Sequence, residues 1–245
     1  FFPGSKQKTS FLTHFMTQVQ LTFSRLTPKQ ITQLVELIPQ TIHQKQFMFY
    51  HEQPSVQSKI VQTGLANQLL VPETTELYLF PVESNVGINK ANQAVDRTYS
   101  LYTNRESSTL TITFINQNEP GSAPINTNPN LATANHLHYV NYQRLLLSPH
   151  VSVKSVTQDG NTIPFTSTDS YQNNMLREVG FLIAIQEGQT SSIKIELNHA
   201  TPLSPMTQIT IPFQPGISPT TFIMQSPQFF EEIIFDSDLT IQLPV

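Results

Sequence analysis

The feature that most constrains the fold is an alternation of apolar and polar residues that begins near residue 75 and continues to the C-terminus. In "STLTITFIN", Leu110, Ile112 and Phe114 alternate with polar residues, and "ELYLFPV", "AVDRTYSLYTN", "SSIKIELN" and "TQITIPF" repeat the pattern. Successive side chains of a strand point to opposite faces, so each stretch can bury one face and expose the other. Short strands separated by polar turns predict an antiparallel β-sandwich over residues 75–245.

Residues 1–74 have a different, helical periodicity. One apolar stripe recurs at every fourth position: Phe11, Phe15, Val19 and Phe23. In the next helix, Thr27 is the expected N-cap and Pro28 the first helical residue, where its missing N–H costs nothing. A third helix is predicted to begin at Pro54 and to end at Gly64.

A short strand at residues 46–50 ("QFMFY") completes this predicted lead-in. Three helices and one strand make a thin core, so the apolar stripes must pack on something else. We expect residues 1–74 to be the tail of a larger α/β domain, packed on upstream sequence or on the sandwich. The predicted fold class is α+β, mainly β, with domains at 1–74 and 75–245.

The low charge of the chain excludes several classes of protein. Charged residues make up 12% of the sequence, and the net charge of −4 with a pI near 6.0 argues against a nucleic-acid binder, which needs basic faces. The chain has no cysteine, so disulfides, thiolate metal sites and cysteine nucleophiles are excluded. Its neutral, polar composition fits an exported bacterial protein.

No run of about 18 apolar residues that would predict a membrane span occurs in the sequence. The first residue is Phe and not Met, which predicts a fragment or a processed piece of a longer protein. We therefore expect any membrane anchor to lie upstream of Phe1.

The octet "NVGINKAN", residues 85–92, places a glycine among polar residues in a chain that has only 8 glycines. Asn85, Gly87 and Asn89 could expose backbone N–H groups to an anion, with Lys90 assisting. The same residue types tolerate left-handed backbone angles and form close turns between strands, and this structural interpretation is favoured. It adds the hypothesis that Lys90 ties the turn to a neighbouring carbonyl or carboxylate.

Two further clusters contain metal-ligating residue types. His136 and His138 would share one face of a strand, but they lie at the edge of a Pro- and Asn-rich loop at 119–135 and no third ligand is placed. The segment "EEIIFDSD", residues 231–238, offers oxygen ligands for calcium, but it lacks EF-hand spacing. Exposed loop histidines and a solvated acidic edge are the favoured interpretations.

Motifs for catalysis are absent from the sequence. No G-x-S-x-G, Walker, G-x-G-x-x-G or H-E-x-x-H pattern occurs. Serine, histidine and aspartate are all present, so composition leaves a Ser-His-Asp triad open. We predict no catalytic residue, no metal and no cofactor for this chain.

Several segments together resemble the domain-of-unknown-function 4012 family. These are "LYLFPVESNVGINKANQAVDRTYSL", "LTITFIN", "YVNYQRLLLSP", "FQPG" and the lead-in "LTPKQITQLVELIPQTIHQKQFMFY". The family's Asn-x-Gly-x-Asn-Lys motif corresponds to residues 85–90, and its Tyr-x-x-Tyr-x-Arg stretch ending in proline corresponds to Tyr139, Tyr142, Arg144 and Pro149. The resemblance covers most of the chain, as the C-terminal portion of the family's region, and adds those residues to Asn85, Gly87, Asn89 and Lys90 as candidate binding residues.

The resemblance implies a bacterial envelope-associated protein of unestablished function, with a transmembrane helix near the N-terminus of the whole protein. The family's upstream half is loosely similar to the LytR-CpsA-Psr domain, which transfers glycopolymers to the cell wall with clustered arginines and acids. That cluster does not map onto this chain, whose arginines are dispersed along it: Arg25, Arg97, Arg105, Arg144 and Arg177.

Three functions follow as expectations. The first is a non-catalytic structural or binding module on the extracellular side of the cell envelope, membrane-anchored through upstream sequence, with cell-wall glycan or another envelope protein as partner. The second is the C-terminal part of a LytR-CpsA-Psr-like glycopolymer transferase. The third is a carbohydrate-binding β-sandwich, which needs exposed aromatics on one sheet face; the sequence offers Tyr99, Tyr102, Tyr139 and Tyr142 but no tryptophan.

Overall fold

The structure, a computed structural model, describes residues 5–66, 69, 77–87, 89–121, 137–171 and 175–245. They divide into two compact units, a helical unit up to Ala66 and a β unit that follows it. The first described strand begins at Leu77. The predicted domain boundary at 74/75 falls between these residues and lies outside the described ranges.

The helical unit contains three helices, α1 (Ser5–Ser24), α2 (Pro28–His43) and α3 (Pro54–Gln62). The N-terminus of α2 is a capping box in which the Thr27 N–H donates to Gln30 Oε1 at 2.9 Å and the Thr27 hydroxyl accepts from the Gln30 N–H. Gly64 follows α3 with a φ of 75°. The predicted caps and helix ends are therefore confirmed.

The predicted strand at residues 46–50 is wrong. This segment forms no strand and pairs with none in the described part of the chain; the Phe49 N–H donates to Leu65 O in the turn after α3. Its apolar side chains are exposed: Phe47, Met48, Phe49 and Tyr50. The aromatic composition was right for a strand, but a strand forms only where a neighbour supplies the other half of the ladder.

In the apolar stripe of α1, Phe11, Phe15 and Phe23 are exposed and Val19 is half-buried, and within the described residues of α2 and α3 no side chain is buried. No helix in the described ranges is long and apolar enough to cross a membrane.

The β unit has thirteen described strands and one short 3₁₀ helix, Ala91–Ala94. The strands are β1 (Leu77–Asn85), β2 (Val95–Thr103), β3 (Ser107–Asn116), β4 (Tyr139–Leu147), β5 (Val151–Gln158), β6 (Asn161–Thr162), β7 (Thr166–Tyr171), β8 (Leu176–Ile185), β9 (Thr190–His199), β10 (Met206–Ile211), β11 (Thr220–Ser226), β12 (Phe229–Phe235) and β13 (Leu239–Pro244). The unit is mainly β, as expected.

The strands form two mixed sheets, not the purely antiparallel ones predicted. A six-stranded sheet has the order β13-β10-β1-β4-β8-β7 and a seven-stranded sheet the order β12-β11-β2-β3-β9-β5-β6. The late strands β10 and β11 lie parallel to β1 and β2. Alternation along a strand shows which side chains are buried but not the direction of a partner distant in sequence, so the sequence did not reveal these two pairs.

Residues from both sheets contribute to one hydrophobic core. Four aromatic rings stack or meet edge to face within it, with Phe222 5.8 Å from Tyr99 and 5.4 Å from Phe235, and Phe213 5.2 Å from Phe235. A smaller cluster on the outer face of the six-stranded sheet contains Tyr78, Leu146 and Leu176.

The hairpin turns follow the sequence signals. The antiparallel β2–β3 hairpin over "AVDRTYSLYTN" and "STLTITFIN" is confirmed. At the predicted "QDGN" turn, Asp159 and Gly160 have φ values of 51° and 81°, which is the backbone geometry of a two-residue turn between β5 and β6.

Truncating the centre of the aromatic cluster should destabilise the β unit strongly. Phe222→Ala leaves a cavity beside Tyr99 and Phe235 and is expected to lower the free energy of unfolding by about 3–5 kcal/mol. Urea unfolding followed by circular dichroism measures this change. The matched control is Ile234→Ala on the neighbouring strand, where an exposed side chain should change stability by no more than about 0.5 kcal/mol. Equal losses in the two variants would contradict the assignment of this core.

Candidate functional site

The predicted octet forms a turn that Asn85 closes with its side chain. Asn85 Oδ1 accepts a hydrogen bond from the Gly87 N–H at 3.0 Å, and Asn85 Nδ2 donates to Asn89 O at 2.8 Å and to Asn92 Oδ1 at 3.0 Å. Both ends of one amide are thus used within the octet. This arrangement supports the structural interpretation, since the polar atoms of the turn satisfy one another.

Asn89 joins the octet to the start of β4. Its Oδ1 accepts from the Ala91 N–H at 3.1 Å and its Nδ2 donates to His138 O at 2.9 Å. Lys90 is exposed; its carbonyl accepts from the Gln93 N–H at 3.1 Å, but its side chain makes no hydrogen bond or ion pair with any residue that the structure describes. The predicted tie from Lys90 to a carbonyl or carboxylate is therefore not seen within the described ranges.

Gly87 is required by space and not by a left-handed backbone angle. A Cβ atom built there would lie 3.2 Å from Asn85 Oδ1 and 3.2 Å from Asn89 Nδ2. Both asparagine side chains lie close to the space that a side chain at position 87 would occupy, so any larger residue would displace them. The sequence identified the right residue for this turn, but the reason is a close approach of side chains.

Gly87→Val should break these contacts. We expect a loss of about 1–3 kcal/mol from overpacking, which lowers the melting temperature by several degrees in a protein of this size. Thermal unfolding measures the change, with Val86→Ala at the adjacent exposed position as the control. An unchanged melting temperature in Gly87→Val would count against the turn as a structural element.

Asn116 and Asn118, which were not predicted as site residues, form further hydrogen bonds near the octet. Asn116 Nδ2 donates to Leu137 O at 2.9 Å and to Ile185 O at 3.2 Å, and Asn116 Oδ1 accepts from Asn118 Nδ2 at 2.7 Å. Glu187 accepts a hydrogen bond from the Leu137 N–H. The sequence signal was the polar segment "INQN" at the end of an otherwise alternating strand. An asparagine that is buried there needs hydrogen-bond partners, and nearby buried backbone groups can supply them.

A buried ion pair joins the two sheets. Glu83 on β1 and Arg97 on β2 both point into the core, with side chains 5% and 6% exposed. Arg97 Nε lies 2.7 Å from Glu83 Oε1 and 2.8 Å from Oε2. Tyr99 donates to the same carboxylate at 3.1 Å, and the Tyr139 hydroxyl donates to its other oxygen. One guanidinium and two phenols thus surround one carboxylate, which we call the inter-sheet quartet.

The electrostatics of the quartet favour a fixed charge state. Burial alone would lower the pKa of Arg97, but the charge and hydrogen bonds of Glu83 outweigh it and raise that pKa. Burial, and then the negative charge of Glu83, raise the pKa of Tyr99 and of Tyr139. Both phenols therefore keep their protons and act as hydrogen-bond donors, which stabilises the carboxylate.

Two further side chains bind the backbone of Glu83 in one sheet and of Arg97 in the other. Gln214 Nε2 donates to Glu83 O at 2.9 Å, and Gln214 Oε1 accepts from the Glu83 N–H at 2.6 Å. The Thr220 hydroxyl donates to Arg97 O. Gln214 belongs to the "FQPG" segment, so a motif quoted for the family resemblance reaches the backbone of the buried acid.

The quartet was not among the candidate sites, although the alternation contained its signal. Glu83 shares its strand face with Leu77 and Leu79, and Arg97 shares its face with Tyr99 and Leu101. A charged residue at an inward position of an apolar face requires a partner. The pattern could therefore have identified both charges, but not that they bind each other.

Replacing Glu83 by a neutral residue should destabilise the protein, because it leaves a buried arginine without a counter-ion. Glu83→Gln leaves the Arg97 charge without its counter-ion and is expected to cost about 3–5 kcal/mol of stability, measured by urea unfolding. Glu178→Gln is the control, because Glu178 forms a half-exposed pair with Arg144 at 4.0 Å and should cost less than about 1 kcal/mol. If Glu83→Gln were as stable as the control, the ion pair would not hold the sheets.

The candidate residues from the Tyr-x-x-Tyr-x-Arg stretch do not form one site. Tyr139 is fully buried in the quartet and is inaccessible to a ligand, which corrects its assignment as a binding residue. Tyr142 and Arg144 lie on the opposite, outer face of β4 because they are an odd number of residues away. Tyr142 lies against Gly180, where a Cβ would come within 2.1 Å of its hydroxyl.

The arginines of the β unit are bound to separate partners. Besides Arg97 and Arg144, Arg105 Nε donates to Leu203 O and Arg177 Nη1 donates to Val151 O. Each of these arginines thus has a different protein group as its described partner.

A serine–histidine pair does occur, at the β2–β3 turn. Ser108 Oγ lies 2.9 Å from His199 Nε2 and 2.7 Å from the Thr103 hydroxyl, and His199 Nδ1 lies 3.3 Å from Arg105 O. Burial lowers the pKa of His199. Ser108 is buried and the second nitrogen of His199 faces a backbone carbonyl in place of an acid, so the pair fixes the turn and offers no open nucleophile.

The two metal hypotheses gain no support from the described residues. His136 lies outside them, and His138 Nε2 is 3.9 Å from Glu187 Oε2. Asp238 accepts a hydrogen bond from the Phe213 N–H, while Glu231 and Glu232 are exposed on β12. No group of three or more His, Asp or Glu in the described ranges is placed to hold a metal ion.

Comparisons with known proteins give weak structural similarity only. No family model and no curated protein matches the chain. An M1 zinc metallopeptidase from Deinococcus radiodurans aligns at 11% identity and a TM-score of 0.31, over 62% of this chain and 40% of the peptidase. Leukotriene A4 hydrolase from Saccharomyces cerevisiae aligns at 13% identity and a TM-score of 0.25, over 62% of this chain and 27% of the hydrolase. Similarity this low supports no argument about activity.

Proposed function

We propose that the chain is a non-catalytic structural or binding module of a membrane-anchored bacterial cell-envelope protein, and that its β unit is a two-sheet sandwich. The observation that carries the proposal is the inter-sheet quartet. Its carboxylate, guanidinium and phenols are bonded to one another inside the core, where they join the sheets. Polar groups that are bonded to one another inside the core hold the fold and are not available to a ligand. Recognition is therefore left to the outer faces of the sheets.

The envelope location rests on the family resemblance and on composition. The resembling segments meet in the fold, since Gln214 of "FQPG" binds the backbone of Glu83 and Tyr139 of "YVNYQRLLLSP" binds its carboxylate. The motifs therefore correspond to positions on which this fold depends, which favours the resemblance over chance matches. A chain without cysteine and with few charges suits the extracellular side of the envelope, with the anchor in upstream sequence.

Carbohydrate binding is the second candidate, and one observation favours it. Of the four tyrosines considered from sequence, Tyr99 and Tyr139 are buried and Tyr142 lies on the six-stranded sheet, so they form no common platform. Tyr102 is exposed on the outer face of the seven-stranded sheet. The same face carries the exposed ring of Phe230, which the sequence analysis did not consider.

Fractionation of the source cells tests the proposed location. We expect an antibody against the β unit to detect the protein in the membrane fraction, at a mass above 27.6 kDa, and external protease to remove the signal from intact cells. A cytosolic enzyme that stays protease-resistant is the control for cell integrity. Recovery of a 27.6 kDa protein from the soluble fraction, protected from protease, would contradict the envelope assignment.

A further inference from the structure

We propose that the outer face of the seven-stranded sheet binds an extended, uncharged, β-linked polysaccharide, with Phe230 and Tyr102 as its two stacking platforms. The inference rests on the proposed role as a binding module and specifies its ligand class. We call this surface the β12–β3 face and define it by the outward positions of β12, β11, β2 and β3.

The two rings lie in one row across the strands. Phe230 on β12 is opposite Gln225 on β11, Gln225 is opposite Tyr102 on β2, and Tyr102 is opposite Thr109 on β3. The inward neighbours Met224 and Leu101 are buried, so this row faces outward. The side chains of Phe230 and Tyr102 are 63% and 43% exposed.

The spacing of the rings suits a β-linked glycan. Two interstrand distances separate Phe230 from Tyr102, which places their Cα atoms about 10 Å apart. In a fully extended β-1,4-linked chain every second sugar presents the same face, and alternate rings repeat at a similar distance. Each aromatic face, which is electron-rich, can stack on the C–H-rich face of one sugar, with Gln225 below the sugar between them.

Hydroxyl and amide groups supply the polar contacts that a sugar needs. The outward positions of the three strands β11, β2 and β3 near this row carry no charge: Thr221, Ile223, Gln225, Thr98, Ser100, Tyr102, Thr109, Thr111 and Thr113. Serine and threonine hydroxyls both donate and accept, as sugar hydroxyls do. The strands that carry these hydroxyls pair without a register shift from β12 to β9, so the rows of outward side chains continue across the sheet.

The charges on and beside the face agree with a ligand that is not an anion. Glu232 lies on the same outward side of β12 as Phe230 and is exposed, and Asp96 is exposed on the outward side of β2. On β9, Glu196 binds Lys194 at 2.9 Å and lies 3.4 Å from Lys154 on β5, so these charges largely compensate one another. A polyanion such as nucleic acid would need a cationic face. A protein partner would need a contiguous apolar centre. This face carries Ile223, Ile234 and Ile115 besides the two rings, but hydroxyls occupy most of the outward positions of β11, β2 and β3 near the row. A neutral polyol matches the surface best.

Titration calorimetry of the whole chain with defined oligosaccharides tests the inference. The probes are cellohexaose and chitohexaose, with maltohexaose as the α-linked control that cannot extend along the row. We expect saturable binding of at least one β-linked probe, none of maltohexaose, and binding at least about tenfold weaker for the corresponding disaccharide, which cannot span both rings.

Variants locate the binding on the face. Phe230→Ala and Tyr102→Ala should each weaken the β-linked probe about tenfold, because each removes one stacking platform. Leu182→Ala is the matched control, since this residue is 56% exposed on the outer face of the other sheet, and it should bind as the unmodified chain does. Thermal unfolding of each variant confirms that it is folded.

Three outcomes would overturn the inference: no binding of either β-linked probe at millimolar concentration, undiminished binding in the Phe230→Ala, Tyr102→Ala double variant, or an equal loss in Leu182→Ala. None of them would overturn the envelope-module proposal, which cell fractionation tests separately. Conversely, a soluble protein that still bound the glycan through these rings would keep the inference and lose the envelope assignment.

Discussion

The β unit depends on the ion pair between Glu83 and Arg97. The two charges come from the first strand of each sheet, and they meet where those sheets share a core. A carboxylate in this environment is tolerated because a guanidinium and two phenols replace its water. An apolar contact could supply similar stability, but an ion pair also fixes the position of one strand against the other, which is one use of buried charge in proteins.

The asparagine-rich turn, a few residues from Glu83, satisfies backbone groups where the chain passes from one sheet to the other. The chain must leave the six-stranded sheet after β1 and enter the seven-stranded sheet at β2, and the octet spans this connection. Backbone groups there cannot all join a ladder, so Asn85 and Asn89 satisfy them with side-chain amides, and Gly87 leaves room for both. The same polar composition also allowed a ligand-binding loop, but the side-chain amides of Asn85 and Asn89 bind backbone groups of the protein itself.

The buried charges and amides are bonded within the fold, so the outer surfaces are what remains for the recognition that we propose. The two outer sheet faces differ: the six-stranded sheet carries an apolar cluster around Tyr78 and Leu146, whereas the β12–β3 face carries mainly hydroxyls and two exposed rings, with isoleucines and the carboxylate of Glu232 among them. The helical unit is different again, because its amphipathic helices expose their apolar stripes. Amphipathic helices gain most of their stability from packing, so this unit has surface that remains available for burial.

The sequence by itself determined the local structure, because local structure follows from short-range sterics and periodicity. It specified the N-cap at Thr27, the hairpin turn at Asp159–Gly160, the alternating strands and the octet as a turn. Only the tertiary structure decided which strands pair in parallel, that residues 46–50 have no strand partner, and that the face of β4 with Tyr139, and not the face with Tyr142, enters the core. The same holds for the pairing of Glu83 with Arg97 and for the alignment of Phe230 with Tyr102. Each of these depends on contacts between segments distant in the chain, which no local periodicity encodes.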